Sequence, residues 1–108
     1  MNVVAFVPDL MDRSRLAAAV PGVRFVTAAE ELAEIEADAD VVLVDLARPG
    51  VLEVLPRLQA RVIGFASRVD TELVDAARHA GCTEVLPRSA FFNVSRLRSR
   101  LGNEPETS

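Results

Sequence analysis

The chain has 108 residues, half of them apolar and 26% charged, with a net charge of -4. That is enough for one hydrophobic core and too little for two, and the balance is that of a folded domain rather than a disordered one. Acidic residues are spread along the whole sequence, all 12 basic residues are arginine and none is lysine, so no concentrated basic footprint points to nucleic acid and no ammonium chemistry is available.

The first apolar run, Val3 to Val7, reads as a strand covered on both faces, and Asp9 follows it closely. It has neither the basic flank nor the length of a signal peptide or membrane span, which leads us to expect a cytoplasmic protein. Residues 11–20 have helical periodicity, with Leu16, Ala17 and Val20 on the inner face and Pro21-Gly22 as the stop. Val23 to Val26 predicts a short second strand. Thr27 and Glu30 form a capping-box pattern for a helix whose inner face carries Ala28, Leu32, Ile35 and Ala39. Glu31, Glu34 and Glu36 supply its solvated side.

Val41 to Val44 is the clearest strand signal, and it delivers Asp45 at its carboxyl end, repeating the placement of Asp9. A loop with Pro49 leads to a third helix from Val51, which Pro56 should shorten. Arg61 to Ala66 predicts strand four. Asp70 caps a fourth helix with Leu73, Val74 and Ala77 inward, and Gly81 ends it. Thr83 to Leu86 reads as strand five. Ser89 caps a last helix with Phe91, Val94, Leu97 and Leu101 inward and Arg96, Arg98 and Arg100 outward, and residues 102–108 read as a disordered polar tail. Cys82, the single cysteine, is expected to be buried, and His79 to sit as a charge in the last turn of helix four.

Strands alternating with helices at this spacing give an α/β domain over residues 1–101, a doubly wound five-stranded parallel sheet in the order 2-1-3-4-5. Strands one and three are then neighbours, so Asp9 and Asp45 face one crevice beyond the carboxyl edge. Two carboxylates leaving adjacent strands about 4.8 Å apart suit a hard cation, Mg²⁺ among them. The first loop, Pro8-Asp9-Leu10-Met11-Asp12, has neither the Ser/Thr/Gly-rich turn of a flavin-phosphate site nor G-x-G-x-x-G, the chain has no G-x-S-x-G elbow for a hydrolase triad, and one histidine is too few for a multi-histidine metal centre.

On these residues the chain resembles the receiver domains of bacterial response regulators, a flavodoxin-like fold. The resemblance rests on Asp9, Asp45, Pro49 four residues later, and the run from Leu73 to Arg88, which looks like the family's helix four, glycine turn and strand five. It implies that Asp45 takes the phosphoacceptor position and Asp9 the second place of the acid pair that holds Mg²⁺, with Pro8 in the first place. It also implies that Ala66 stands where a Thr or Ser ends strand four, with Ser67 adjacent, that Val85 replaces the switch aromatic, and that Arg88 replaces the lysine of strand five.

Arg88 then has two roles open to it: contacting a phosphoryl group on Asp45, with Ser67, or pairing permanently with Asp45 and Asp9 and filling the site. The expectation is an atypical, stand-alone receiver-like module, not an enzyme, that works by protein contact without normal phosphorylation switching. The alternatives are a working single-domain regulator phosphorylated on Asp45 with Mg²⁺, and a small flavodoxin-like ligand-binding protein or enzyme. No cofactor is required by the first reading. The expected partner is a protein, a histidine kinase or a second copy, docking on helix four, strand five and helix five through Arg78, Phe92, Arg96 and Arg100, with no nucleic acid and no membrane.

Overall fold

A computed structural model describes residues 2–67, 70–93, 97, 99 and 101. Strands β1 (Val3–Phe6), β2 (Arg24–Phe25), β3 (Val41–Asp45), β4 (Arg61–Ala66) and β5 (Glu84–Pro87) form one parallel sheet in the order β2-β1-β3-β4-β5. The connections carry helices α1 (Leu10–Ala19), α2 (Glu30–Ile35), α3 (Val51–Val54), α4 (Thr71–His79) and α5 (Arg88–Phe91). Alternation along the strands divides the core. Val4, Phe6, Val42, Val44 and Val62 pack with Leu32, Val54 and Ala77 from α2, α3 and α4. Val3, Ala5, Val41, Leu43, Ile63 and Phe65 pack with Leu16, Phe91, Leu97 and Leu101 on the α1 side. All five residues of β3 are buried, as expected of a central strand covered on both faces.

The doubly wound sheet agrees with the sequence, and the local departures have physical reasons. Helix α1 starts at Leu10 because the Asp9 side chain accepts the Asp12 N–H and caps it. Its buried stripe is therefore Asp12, Leu16 and Ala19, and Ala17, expected inside, is exposed. Glu31 rather than Glu30 reaches back to close the start of α2, accepting the N–H of Thr27 at 2.7 Å, the Thr27 hydroxyl at 3.1 Å and the Ala28 N–H at 3.1 Å. That one-residue shift buries Ala29 and leaves Ala28 exposed.

Pro56 ends α3 as expected, after one turn, in a 3-10 segment over Leu55–Arg57. Asp70 caps α4 by accepting the Leu73 N–H at 3.2 Å, and Gly81 closes the helix in the left-handed region at φ 107°. Thr83 lies before β5, not in it, because its hydroxyl is taken up by the Val62 N–H at 3.0 Å. Cys82 is buried, with Sγ 3.1 Å from the Glu84 carbonyl, and burial raises its thiol pKa. His79 donates from Nδ1 to the Asp75 carbonyl at 2.9 Å.

The last helix corrects the sequence reading most. Pro87, not Ser89, is the N-cap residue, and Ser89 lies inside a four-residue α5. Phe92 stops that turn, after which Leu97 N–H to Asn93 O at 2.8 Å and Leu101 N–H to Leu97 O at 3.0 Å restore helical bonding. Leu97 and Leu101 are buried with Phe91, while Val94, Arg96, Arg98, Arg100 and the expected tail at 102–108 lie outside the described residues. Among the described residues no helix is long and apolar enough to cross a membrane.

Candidate functional site

The carboxyl edge of the sheet gathers the residues singled out from the sequence, but in different partnerships. Asp45 ends β3 opposite Phe65 of β4, and the Leu46 N–H continues the ladder to the Phe65 carbonyl at 3.1 Å. Leu46 can tuck inward there because β4 offers Gly64 beneath it: a Cβ at Gly64 would stand 2.7 Å from Leu46 Cγ. This close approach fixes the backbone from which Asp45 projects.

The Asp45 carboxylate is only 7% exposed, and both its oxygens are engaged locally. Oδ1 accepts the Ala47 N–H at 3.2 Å, and Oδ2 accepts Arg48 Nε at 3.2 Å. Asp12, in the first turn of α1, is 4% exposed and accepts Arg88 Nη2 at 2.7 Å. Of the two roles open to Arg88, the permanent bridge between Asp45 and Asp9 is therefore not the pairing seen. It starts α5 at the end of β5, beside α1, and reaches the buried carboxylate of that helix, while Asp45 finds its cation three residues along its own loop.

Asp9 is exposed and committed to capping α1. Its pKa lies below the ordinary 3.8, first because the Asp12 N–H donates to it, with the Arg48 and Arg88 charges adding to the effect. Three carboxylates and two guanidiniums thus share this edge, each guanidinium in close contact with a carboxylate other than Asp9. Mg²⁺ needs carboxylate oxygens free to turn toward it. Here both Asp45 oxygens and one oxygen each of Asp9 and Asp12 are taken by the Ala47 and Asp12 N–H groups and by the two arginines, and among the described residues no three His, Cys, Asp or Glu side chains form a metal-holding group. At Asp45 the Arg48 guanidinium therefore competes with the cation that Asp9 and Asp45 were expected to share.

An open crevice of ≈ 370 Å³ lies over this edge, lined by Asp45, Arg48, Ser67 and Arg88 among others. Ser67 is exposed at its rim, and Ala66, at the position where receivers carry a hydroxyl, is buried. Phe65, which lines the crevice, belongs to an aromatic cluster. Phe65 meets Phe91 with ring centroids 4.5 Å apart and Phe92 at 5.1 Å, and the Arg88 guanidinium lies 5.1 Å from the Phe65 ring and 5.3 Å from that of Phe92. Phe92 is accordingly half-buried in a cluster rather than free as an exposed anchor. Val85 is half-buried against the opposite side of the core. Arg78 is exposed on α4, and Arg96 and Arg100 fall outside the described residues.

Sequence reasoning missed Arg48 and Asp12 as partners at this site. Asp12 carried a usable signal, since a helix begun at Leu10 places it in register with Leu16 and Ala19 on the inner stripe, where an acid demands a cation. Arg48 sits in the i+3 position of the Asp45 turn, a placement visible only once that turn is known.

No protein-family profile matches the chain, and no curated protein matches it in sequence. Solved structures do. A response regulator from Hahella chejuensis superposes with a TM-score of 0.75 at 12% identity, covering 94% of this chain and 92% of that one. A putative pilus assembly-related protein from Burkholderia pseudomallei gives 0.73 at 15% identity, covering 94% and 88%. A CheY-like protein, TadZ, from Pseudomonas aeruginosa gives 0.58 at 24% identity, covering 100% and 98%. The chain has the receiver-like, CheY-like fold.

Proposed function

We propose that this receiver-like domain is a signalling module that acts by binding a protein partner, and that Asp45 is not operated as an ordinary phosphorylation switch. One observation carries the reading: the two buried acids of the carboxyl edge are each paired to an arginine, Asp45 to Arg48 and Asp12 to Arg88. In a receiver the acid that Asp45 resembles holds a cation and a phosphoryl group, and the lysine that Arg88 replaces contacts that group. Here the protein's own guanidiniums offset the acid repulsion, which favours one fixed arrangement of the edge. Ala66 and Val85 point the same way, because neither can provide the hydroxyl or the aromatic that relays phosphorylation in the family.

The reading gives the module no catalytic step of its own. The crevice offers a carboxylate and two arginines, but no matched acid and base. Structures that share the fold carry both response-regulator and pilus-assembly names, so the fold is compatible with assembly as well as phosphotransfer. One feature favours a working regulator instead: Asp45 ends β3, where the resemblance puts the phosphoacceptor, and lines an open crevice.

Incubation with Mg²⁺ and acetyl phosphate, read by intact mass with Asp45→Asn as control, separates the two. The proposal predicts no phosphoryl gain. An Asp45-dependent gain of one phosphoryl group would overturn it.

A further inference from the structure

The outer face of α1 carries a pattern that neither the core nor the crevice uses. Leu10 is 78% exposed and Met11 69%, the two large hydrophobics that stand out as solvent-exposed among the described residues. Ser14, Ala17 and Ala18 are also exposed, while Asp12, Leu16 and Ala19 point inward. At 3.6 residues per turn, Leu10, Met11, Ser14, Ala17 and Ala18 occupy a continuous sector of about 120° centred on Ser14. No charged residue lies within that sector. Arg13 and Arg15 border it, and both guanidiniums are drawn back onto aromatic rings, Arg13 over Phe25 at 4.8 Å and Arg15 over Phe92 at 6.0 Å.

The sector is also complementary to itself. Its two bulky residues lie at the N-terminal end and its two smallest at the C-terminal end. When two copies of α1 face each other antiparallel about a two-fold axis through Ser14, Leu10 of one copy falls on Ala17 of the other, and Met11 falls on Ala18. Each bulky side chain thus meets an alanine, Ser14 meets Ser14 in the centre, and the helix dipoles oppose. A parallel pairing would set bulk against bulk at one end and leave a gap at the other.

We infer that the partner seated on α1 is a second copy of this chain, forming an antiparallel α1–α1 dimer with Leu10 opposite Ala17 and Met11 opposite Ala18. This deepens the protein-contact reading above and rests on it for its meaning in signalling, though not for its geometry. Small residues at the crossing allow the axes to approach to about 8 Å, the close end of helix packing. One ten-residue helix face covers less than the roughly 1,200–2,000 Å² of a standard interface, so the dimer is reversible and concentration-dependent. Arg13 and Arg15 meet their own counterparts along the two edges of the seam, so added salt tightens the association by screening them.

Sedimentation velocity of the full chain over a concentration series tests this, using Leu10→Glu, Ala17→Arg and an equimolar mixture of the two. Both positions are exposed, and an acid in the first turn and a base in the last complement the helix dipole, so both variants keep the fold. The wild type should show a monomer–dimer equilibrium that strengthens with salt. Each variant alone should be monomeric, and the mixture should recover the dimer, because Glu at one site then faces Arg at the other.

A wild type that stays monomeric throughout, or a mixture that fails to associate, would overturn the proposal. So would Arg78→Glu abolishing the dimer while Leu10→Glu preserves it, since the contact would then lie on α4. The phosphoryl-transfer experiment reports separately: a monomer that takes no phosphate defeats only the dimer, and a dimer that takes phosphate on Asp45 defeats only the reading of the crevice.

Discussion

Asp12 is the residue whose environment decides how the carboxyl edge works. A carboxylate on the inner stripe of α1 is compatible with folding only because Arg88 reaches it from the end of β5. The Arg88 side chain is 45% exposed, so the pair lies at the boundary of the core and is partly screened. Replacing Arg88 by Met leaves the Asp12 carboxylate without its cation. It should lower unfolding stability in urea by about 1–3 kcal/mol, the cost of an unsatisfied buried acceptor. Asp12→Asn combined with Arg88→Met should recover part of that loss.

Asp9 and Glu31 act at the same scale as caps. Backbone N–H donors hold both below their ordinary values of 3.8 and 4.5. A carboxylate depressed by folding stabilises the native state above its unfolded pKa, and that contribution is lost as the pH falls through the lowered native value. Acid titration of stability should therefore show a decline at and below the ordinary carboxylate range that is smaller in Glu31→Gln than in the wild type. Identical pH profiles for the two proteins would refute the capping role.

At the scale of elements, the strands were legible in the sequence where they are central and less so at the margins. β3 and β4 read correctly because unbroken apolar runs must be covered on both faces, whereas β2 is two residues long and β5 is shifted by one toward Pro87. The ends of helices were hardest to place. Whether Glu30 or Glu31 closes α2, and whether Pro87 or Ser89 begins α5, turns on a one- or two-residue choice of where the helix starts, which the spacing of cap residues leaves open.

The crevice shows the same limit. Asp9, Asp45, Ser67 and Arg88 were all recognisable, and the structure brings Asp45, Ser67 and Arg88 to one edge, but the pairing of charges depends on which loop turns toward which helix. The contact between Gly64 and Leu46 is another feature that spacing alone does not reveal. Gly64→Ala would force its Cβ against a buried leucine in a packed core, with an expected loss of about 1–3 kcal/mol in thermal or urea unfolding. Because Leu46 follows Asp45 directly, the same variant should also shift the amide resonances of Asp45 and Ala47.

Across the whole molecule, a receiver-like sheet carries a crevice over its carboxyl edge with Asp45 at the end of β3, while the charges of that crevice are balanced from within. In the function proposed above, such a domain works through protein contact, and its internal ion pairs stand in for the cation. The outer face of α1 lies outside the crevice, so association and the charge pairing at Asp45 can be tested independently. The internal pairing itself is open to direct measurement by titrating Mg²⁺ into isotopically labelled protein and following the amide resonances of Asp9, Asp12, Asp45, Arg48 and Arg88. Pairing of Asp45 with Arg48 and of Asp12 with Arg88 predicts no saturable shift at these amides through millimolar Mg²⁺, whereas saturable millimolar binding centred on Asp9 and Asp45 would contradict it.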